Sequence, residues 1–107
     1  MREVDLETFA RAHADGGTVI DVREHAEYVT GHVPGARPVP MSHLPSRVGQ
    51  LPTDRPVYVV CASGNRSLAM TAYLLRAGVD AWSVAGGTEA WKASGRPVVR
   101  GPRENAA

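Results

Sequence analysis

Val57-Tyr58-Val59-Val60-Cys61-Ala62-Ser63-Gly64-Asn65-Arg66-Ser67 is the stretch that decides the fold. Its apolar beginning predicts a short buried strand, and the pattern over residues 67–77 predicts a helix directly behind the loop. Cys61 therefore stands where a strand ends and a helix is about to begin. Backbone N–H groups converge at such a point and the helix dipole is positive there, so both favour the nucleophilic thiolate.

The segments on either side repeat this alternation of strand and helix. Further strands are predicted over residues 18–22 and 81–84, with at most a short one over 36–39. Helices are predicted behind an Asp5 cap, over 24–29, near 43–51, over 67–77 and over 88–93. Strands that alternate with helices indicate an α/β layer fold, whose parallel sheet is covered by helices on both faces.

The composition is that of an ordinary globular domain. The chain has 107 residues, of which 43% are apolar and 21% charged, and a net charge of +1. Nothing in this balance requires nucleic acid or an anionic membrane as a partner. We expect one domain, with a core over about residues 4–99 and a flexible tail over 100–107. The lack of a signal-like or spanning apolar run and the single cysteine favour a cytoplasmic protein.

A second polar site follows another predicted strand. Asp21 and Arg23 come at the end of strand 18–22, so we expect them at the same edge of the sheet as Cys61. A buried carboxylate needs a partner, and Asp21 has two candidates: Arg23 and the backbone amides of the Cys61 loop. Asp21 either braces that loop or caps its own strand. The i, i+4 spacing predicts an ion pair between Arg23 and Glu27.

His32, within Gly31-His32-Val33-Pro34-Gly35, is interpreted as a neutral hydrogen-bonding brace and not as a base. The other three histidines have no metal-ligand spacing with one another or with Cys61, so no zinc site is expected. Asn65 and Ser67 have structural alternatives as a turn residue and a helix cap.

Taken in order, several motifs of the chain resemble the rhodanese family. They are residues 19–24, Glu27-Tyr28, residues 31–36, the Cys61–Ser67 loop with Gly64, Arg66 and Ser67 in the usual places, and Gly86-Gly87 followed by Trp91 and Gly95-Arg96-Pro97. The resemblance runs from about Val4 to Val99. It implies a single-domain sulfurtransferase with a three-layer α/β/α fold and a central, mostly parallel five-stranded sheet. It further implies a persulfide on Cys61 and no metal or organic cofactor.

The loop suits this chemistry. Cys61 would attack the outer sulfur of a small anionic donor such as thiosulfate, and a thiol, cyanide or an acceptor protein would then remove the sulfur. The loop amides can form a concave nest around the sulfur, and the Arg66 fork can hold donor oxygens. The predicted cradle consists of Ala62, Ser63, Gly64, Asn65 and Arg66. The predicted supporting residues are Asp21, Arg23, His32 and Ser67.

Two alternatives stay open. Cysteine-dependent phosphatases and arsenate reductases have a longer loop between nucleophile and arginine. Here four residues separate Cys61 from Arg66, a ring that fits a persulfide sulfur better than a phosphoryl group. The other alternative is a non-catalytic binding or regulatory module, because folds are reused without their chemistry. Such a module would not need Cys61, Gly64 and Arg66 together, and it should stay unmodified when a sulfur donor is added.

Overall fold

The computed structural model describes residues 2–105, and its centre is one five-stranded sheet. The strands are β1 (Glu3–Val4), β2 (Thr18–Asp21), β3 (Arg37–Pro38), β4 (Val57–Val60) and β5 (Ala81–Val84). Their order in the sheet is β1-β5-β4-β2-β3, and every pairing between them is parallel. The predicted α/β fold with a five-stranded parallel sheet is confirmed.

Within residues 2–105, five α-helices connect and cover the strands: α1 (Leu6–Ala14), α2 (His25–Tyr28), α3 (Leu44–Arg47), α4 (Asn65–Arg76) and α5 (Gly87–Ala93). The carboxylate of Asp5 accepts the Thr8 N–H at 2.8 Å and caps α1, as the sequence predicts. The helix predicted near residues 43–51 is broken, with 3₁₀ turns at Met41–His43 and Val48–Gln50 on either side of α3. Pro45 explains part of the break, because it offers no N–H to a preceding turn.

Both faces of the sheet are buried. Val57 and Val59 of β4 belong to a cluster that includes Leu74 of α4, whereas Val60 belongs to a second cluster with Phe9 of α1 and Trp91 of α5. Successive side chains of a strand point to opposite faces, so one short apolar strand supplies both clusters. Within residues 2–105, no helix is long and apolar enough to cross a bilayer.

The sequence pattern did not predict β1, which is only two residues long. Ser83 donates its N–H to Arg2 O and Ala85 donates its N–H to Val4 O, both at 2.9 Å. This edge strand exists because β5 offers it main-chain partners. No local periodicity marks a strand of this length.

The chain after Val99 lies against the body of the domain. Val99 and His32 exchange two main-chain hydrogen bonds of 2.9 Å, and Gly101 N donates to Val29 O at 2.9 Å. Gly35 N then donates to Glu104 O, also at 2.9 Å. These hydrogen bonds continue past Val99 as far as Glu104. The flexible tail predicted over residues 100–107 stays a prediction, and residues 106–107 lie outside the described residues.

Candidate active site

The site lies at the edge of the sheet where β2 and β4 end side by side. Asp21 is paired with Val60 in the parallel register, and Val22 N donates to Val60 O at 3.0 Å. The two chain segments that leave these strands therefore start next to each other. The structure brings together the two polar sites that the sequence analysis places at this edge, namely the Cys61 loop and the Asp21–Arg23 segment.

The loop after β4 curls around the sulfur of Cys61. Cys61 is 1% exposed, and its Sγ accepts the N–H of Gly64 at 3.1 Å and the N–H of Ser67 at 3.3 Å. Gly64 has φ +108, a conformation that L side chains rarely adopt. This turn lets α4 begin at Asn65, so that the first turn of α4 presents an amide to the sulfur.

Burial and hydrogen bonding have opposite effects on the thiol. Burial raises the pKa of Cys61, but the Ser67 hydroxyl and the N–H groups of Ser67, Gly64 and Ser63 lower it, and the net result is a pKa below the ordinary value. The loop therefore stabilises the thiolate in a place from which water is largely excluded. A lowered pKa makes the nucleophilic form more abundant near neutral pH.

The Ser67 hydroxyl links the sulfur to the neighbouring strand. Its Oγ lies 3.5 Å from Cys61 Sγ, 3.1 Å from Gly64 O and 2.7 Å from Ser83 Oγ. Ser67 and Ser83 are both fully buried. Ser83 lies on β5, and sequence reasoning missed it because nothing near Cys61 in the chain indicates which strand lies beside β4.

Arg66 is held by an ion pair. Its Nη1 and Nη2 donate to the two carboxylate oxygens of Glu27 at 2.7 and 2.8 Å. The Arg66 hydrogen bonds lower the pKa of Glu27 to about 2. Hydrogen bonding to Glu27 raises the pKa of Arg66, and the nearby Cys61 thiolate adds to the effect. The predicted pair between Arg23 and Glu27 is therefore wrong, because Glu27 faces Arg66.

Asp21 is partnered by Arg23. Arg23 Nε donates to Asp21 Oδ1 at 3.0 Å and Arg23 Nη2 donates to Oδ2 at 2.9 Å, with both side chains buried. Arg23 Nη2 also donates to Gly31 O at 3.0 Å. Of the two partners open to Asp21, the structure selects the arginine. Within residues 2–105 neither side chain hydrogen bonds to the Cys61 loop, so the pair joins the end of β2 to the Gly31 turn.

His32 lies away from the sulfur. Its ring stacks on Tyr28 with centroids 3.7 Å apart, and its Nδ1 and Nε2 lie 3.0 and 3.2 Å from the carbonyl oxygens of Tyr28 and Glu104. These contacts join α2 to the C-terminal segment. In the part of the chain that the structure describes, no three side chains of His, Cys, Asp or Glu meet as metal ligands.

The back of the loop rests on the start of α5. Thr88 N donates to Cys61 O at 2.9 Å, and Glu89 N donates to Ala62 O at 3.0 Å. The sequence pattern marks Gly86-Gly87 only as a turn. Contact with the Cys61 loop could not be read from it, because the pairing depends on β4 and β5 being neighbours in the sheet.

Comparisons with known proteins agree with this geometry. The model of the rhodanese-like domain family matches residues 5–94. The chain is 36% identical over 102 residues to a sulfurtransferase of Allochromatium vinosum, covering 92% of this chain and 95% of that protein. It is also 36% identical over 81 residues to the thiosulfate sulfurtransferase GlpE of Pseudomonas putida, with 75% and 74% covered. The crystal structure of a rhodanese-related protein from Thermoplasma volcanium superposes with a TM-score of 0.86 at 32% identity, covering 92% of this chain and 98% of that one.

Proposed function

The chain belongs to the rhodanese-like domain family and has sulfurtransferases among its relatives, and from this we propose that it transfers a sulfane sulfur through a persulfide on Cys61. The observation that carries the proposal is the buried Cys61 Sγ, which accepts two backbone N–H groups at 3.1 and 3.3 Å. A thiol buried only for packing would not need a loop whose amides converge on it.

In the proposed first step, the Cys61 thiolate attacks the outer sulfur of a donor such as thiosulfate. A bond forms between Cys61 Sγ and that sulfur while the bond to the sulfonate group breaks, and sulfite leaves with the electron pair. The products are a Cys61 persulfide anion and a sulfite dianion, so the total charge is unchanged. Every species in the step is an anion, and the N–H groups of Gly64 and Ser67 suit such a reaction because they stabilise negative charge on sulfur.

In the proposed second step, a thiophilic acceptor attacks the outer sulfur of the persulfide. Cyanide would leave as thiocyanate, and a thiolate acceptor would itself become a persulfide, in each case regenerating the Cys61 thiolate. This sequence is nucleophilic covalent catalysis and requires ping-pong kinetics. The proposal includes a small anionic donor, an acceptor that is cyanide, a thiol or a protein, and a reducing compartment such as the cytoplasm, which would keep the lone thiol reduced.

The role predicted for Arg66, to hold the oxygens of the donor, is kept in the proposal with one change. Its guanidinium is shared with Glu27, and both side chains are more than a third exposed. A donor that uses the Arg66 fork must therefore share or displace the Glu27 carboxylate. Arg66 is accordingly assigned to donor attraction at the rim of the site, and the loop amides are assigned to the sulfur itself.

The experiment that tests this function is intact mass spectrometry after incubation with thiosulfate. We expect a gain of one sulfur atom, ~32 Da, that cyanide reverses, as covalent catalysis requires. The Cys61→Ser variant is the matched control and should gain nothing. A parent chain that stays unmodified with thiosulfate and with a cysteine-derived persulfide donor would favour the non-catalytic module instead.

A further inference from the structure

The Cys61 loop contacts the Gly86-Gly87 turn and the start of α5 on the side that faces away from the sulfur. Gly87 has φ +57, and a Cβ built on it would clash with Cys61 O and lie 2.7 Å from Ala62 O. Cβ atoms essentially never approach other atoms this closely. The loop comes equally close to the Gly86-Gly87 turn at Gly64, because a Cβ built on Gly64 would lie 3.3 Å from Gly86 N. The diglycine turn and the loop thus pack backbone against backbone, which only glycine permits.

The hydrogen bonds across this contact determine which way the loop peptides face. Thr88 N and Glu89 N hold Cys61 O and Ala62 O at 2.9 and 3.0 Å. In a planar trans peptide the C=O and the N–H point in opposite directions. A peptide whose carbonyl is held toward α5 must therefore turn its N–H away from α5. The peptide whose carbonyl is Ala62 O carries the N–H of Ser63, and this N–H is one of the groups that lower the pKa of Cys61.

We propose that Gly87, together with the N–H groups of Thr88 and Glu89, is a positioning element for Cys61: it holds the carbonyls of Cys61 and Ala62 against α5. This contact turns the Ser63 N–H away from α5 and fixes the start of the loop whose Gly64 N–H donates to the sulfur at 3.1 Å. Gly87 touches no reacting atom and acts through the orientation of two peptides. The importance of this element for turnover rests on the proposed function. Its effect on the thiolate does not, because ionisation of Cys61 can be measured without a sulfur donor.

The test is the pH dependence of Cys61 alkylation by iodoacetamide in Gly87→Ala. The added methyl group must push the Cys61 and Ala62 carbonyls away, which turns the Ser63 N–H and shifts the start of the loop that carries the Gly64 N–H. We expect the midpoint of the alkylation profile to rise by about one pH unit, and the rate at pH 7 to fall by about tenfold. The limiting rate at high pH reports access to the thiolate and separates a blocked sulfur from a raised pKa.

Gly95→Ala is the matched control. Gly95 has φ +83, so alanine is strained there as well, yet a Cβ at this position would meet nothing within 4 Å. Both variants should therefore lower the melting temperature, but only Gly87→Ala should move the alkylation midpoint. A folded Gly87→Ala protein with the midpoint of the parent would overturn the inference. An equal shift in both variants would also overturn it, because the shift would then follow from lost stability alone.

A second pair of variants covers a Gly87→Ala protein that does not fold. Glu89→Pro removes the N–H that holds Ala62 O at the third residue of α5, in the first helical turn, where no intrahelical hydrogen bond depends on that N–H. Glu89→Ala keeps that N–H and serves as its control. We expect only the proline variant to raise the midpoint of the alkylation profile and to slow alkylation at pH 7 by several-fold. Identical profiles for Glu89→Pro and Glu89→Ala would refute the proposal. Persulfide formation by the parent is scored separately, so either proposal can fail while the other stands.

Discussion

Neutralising Glu27 should make the protein react faster with an anionic sulfur donor. Arg66 donates two hydrogen bonds to Glu27, at 2.7 and 2.8 Å, and this carboxylate competes with any donor oxygen for the same fork. In Glu27→Gln the side chain keeps an oxygen that can accept the Glu24 N–H, which Glu27 Oε1 accepts at 3.1 Å. The substitution therefore removes the charge with little change in shape.

The size of the effect follows from the exposure of the pair. Arg66 and Glu27 are 36% and 37% exposed, so solvent screens the attraction and the pair contributes about 0.5–1 kcal/mol. Releasing Arg66 should favour donor binding by a similar amount, which corresponds to a roughly 2- to 5-fold faster persulfide formation at subsaturating thiosulfate. The same loss should lower the free energy of unfolding by about 0.5–1 kcal/mol at neutral pH.

The pH dependence of stability gives an independent check. The fold lowers the pKa of Glu27 from 4.5 to about 2. A carboxylate with a depressed pKa contributes stability above its unfolded pKa and loses it as the pH falls through the folded pKa. The stability difference between the parent and Glu27→Gln should therefore be full above about pH 4.5 and vanish toward pH 2.

The assay is the rate of persulfide formation from thiosulfate, followed by intact mass at low and high ionic strength. Asp54→Asn is the control, because it removes one carboxylate from the exposed Asp54–Arg55 pair, before β4 and thus at the opposite end of the strand from Cys61. If both variants react faster by the same factor, the cause is net charge and not the release of Arg66. A Glu27→Gln rate equal to or below that of the parent would remove Arg66 from donor binding.

Three further outcomes are expected. Ser67→Ala should raise the pKa of Cys61 and shift the alkylation midpoint upward, because the hydroxyl that lies 3.5 Å from the sulfur and lowers this pKa is lost; an unmoved midpoint would contradict the assigned role of the hydroxyl. Asp21→Asn should lower the free energy of unfolding by about 3–5 kcal/mol in urea denaturation, because it leaves the Arg23 charge buried without its carboxylate; a loss typical of a surface pair would show that water reaches this site. A glycine inserted after Ser63 should keep the fold and slow persulfide formation, and an undiminished rate would reject the argument from loop length.

Contacts that are local in the chain were predictable, and contacts that depend on strand order were not. The amides of Gly64 and Ser67 lie three and six residues beyond Cys61, so a turn between a strand and a helix is enough to aim them at the sulfur. By contrast, Glu27 is 39 residues from Arg66. The i, i+4 rule assigned it to Arg23 instead, because nothing local in the chain places Arg66 beside Glu27.

The same distinction explains the elements of the fold. The strands β2 and β4 can be recognised from the sequence because they are buried on both faces and therefore consist of short, strongly apolar runs. The edge strand β1 has two residues and is defined by its partner β5. Gly87 could be seen as a turn residue, but its contact with the Cys61 carbonyl requires α5 to start beside β4. Sequence patterns thus located Cys61 and the loop around it, whereas the residues that contact this loop from other elements could be found only from the order of the strands in the sheet.

The burial of Cys61 bears on how the proposed persulfide would react. A persulfide has two electrophilic sulfurs: attack on the outer one transfers sulfur, whereas attack on the inner one forms a mixed disulfide and releases sulfide. The inner sulfur is Cys61 Sγ, which belongs to a residue 1% exposed and is enclosed by its own loop. The outer sulfur would extend from it by an S–S bond of about 2.05 Å. An acceptor would therefore meet the outer sulfur first, so the burial that by itself raises the pKa of the Cys61 thiol would also direct the proposed reaction toward transfer. Burial alone would raise the pKa of Cys61, and the loop amides and the Ser67 hydroxyl offset this rise. The buried sulfur and the groups around it therefore have to be considered together.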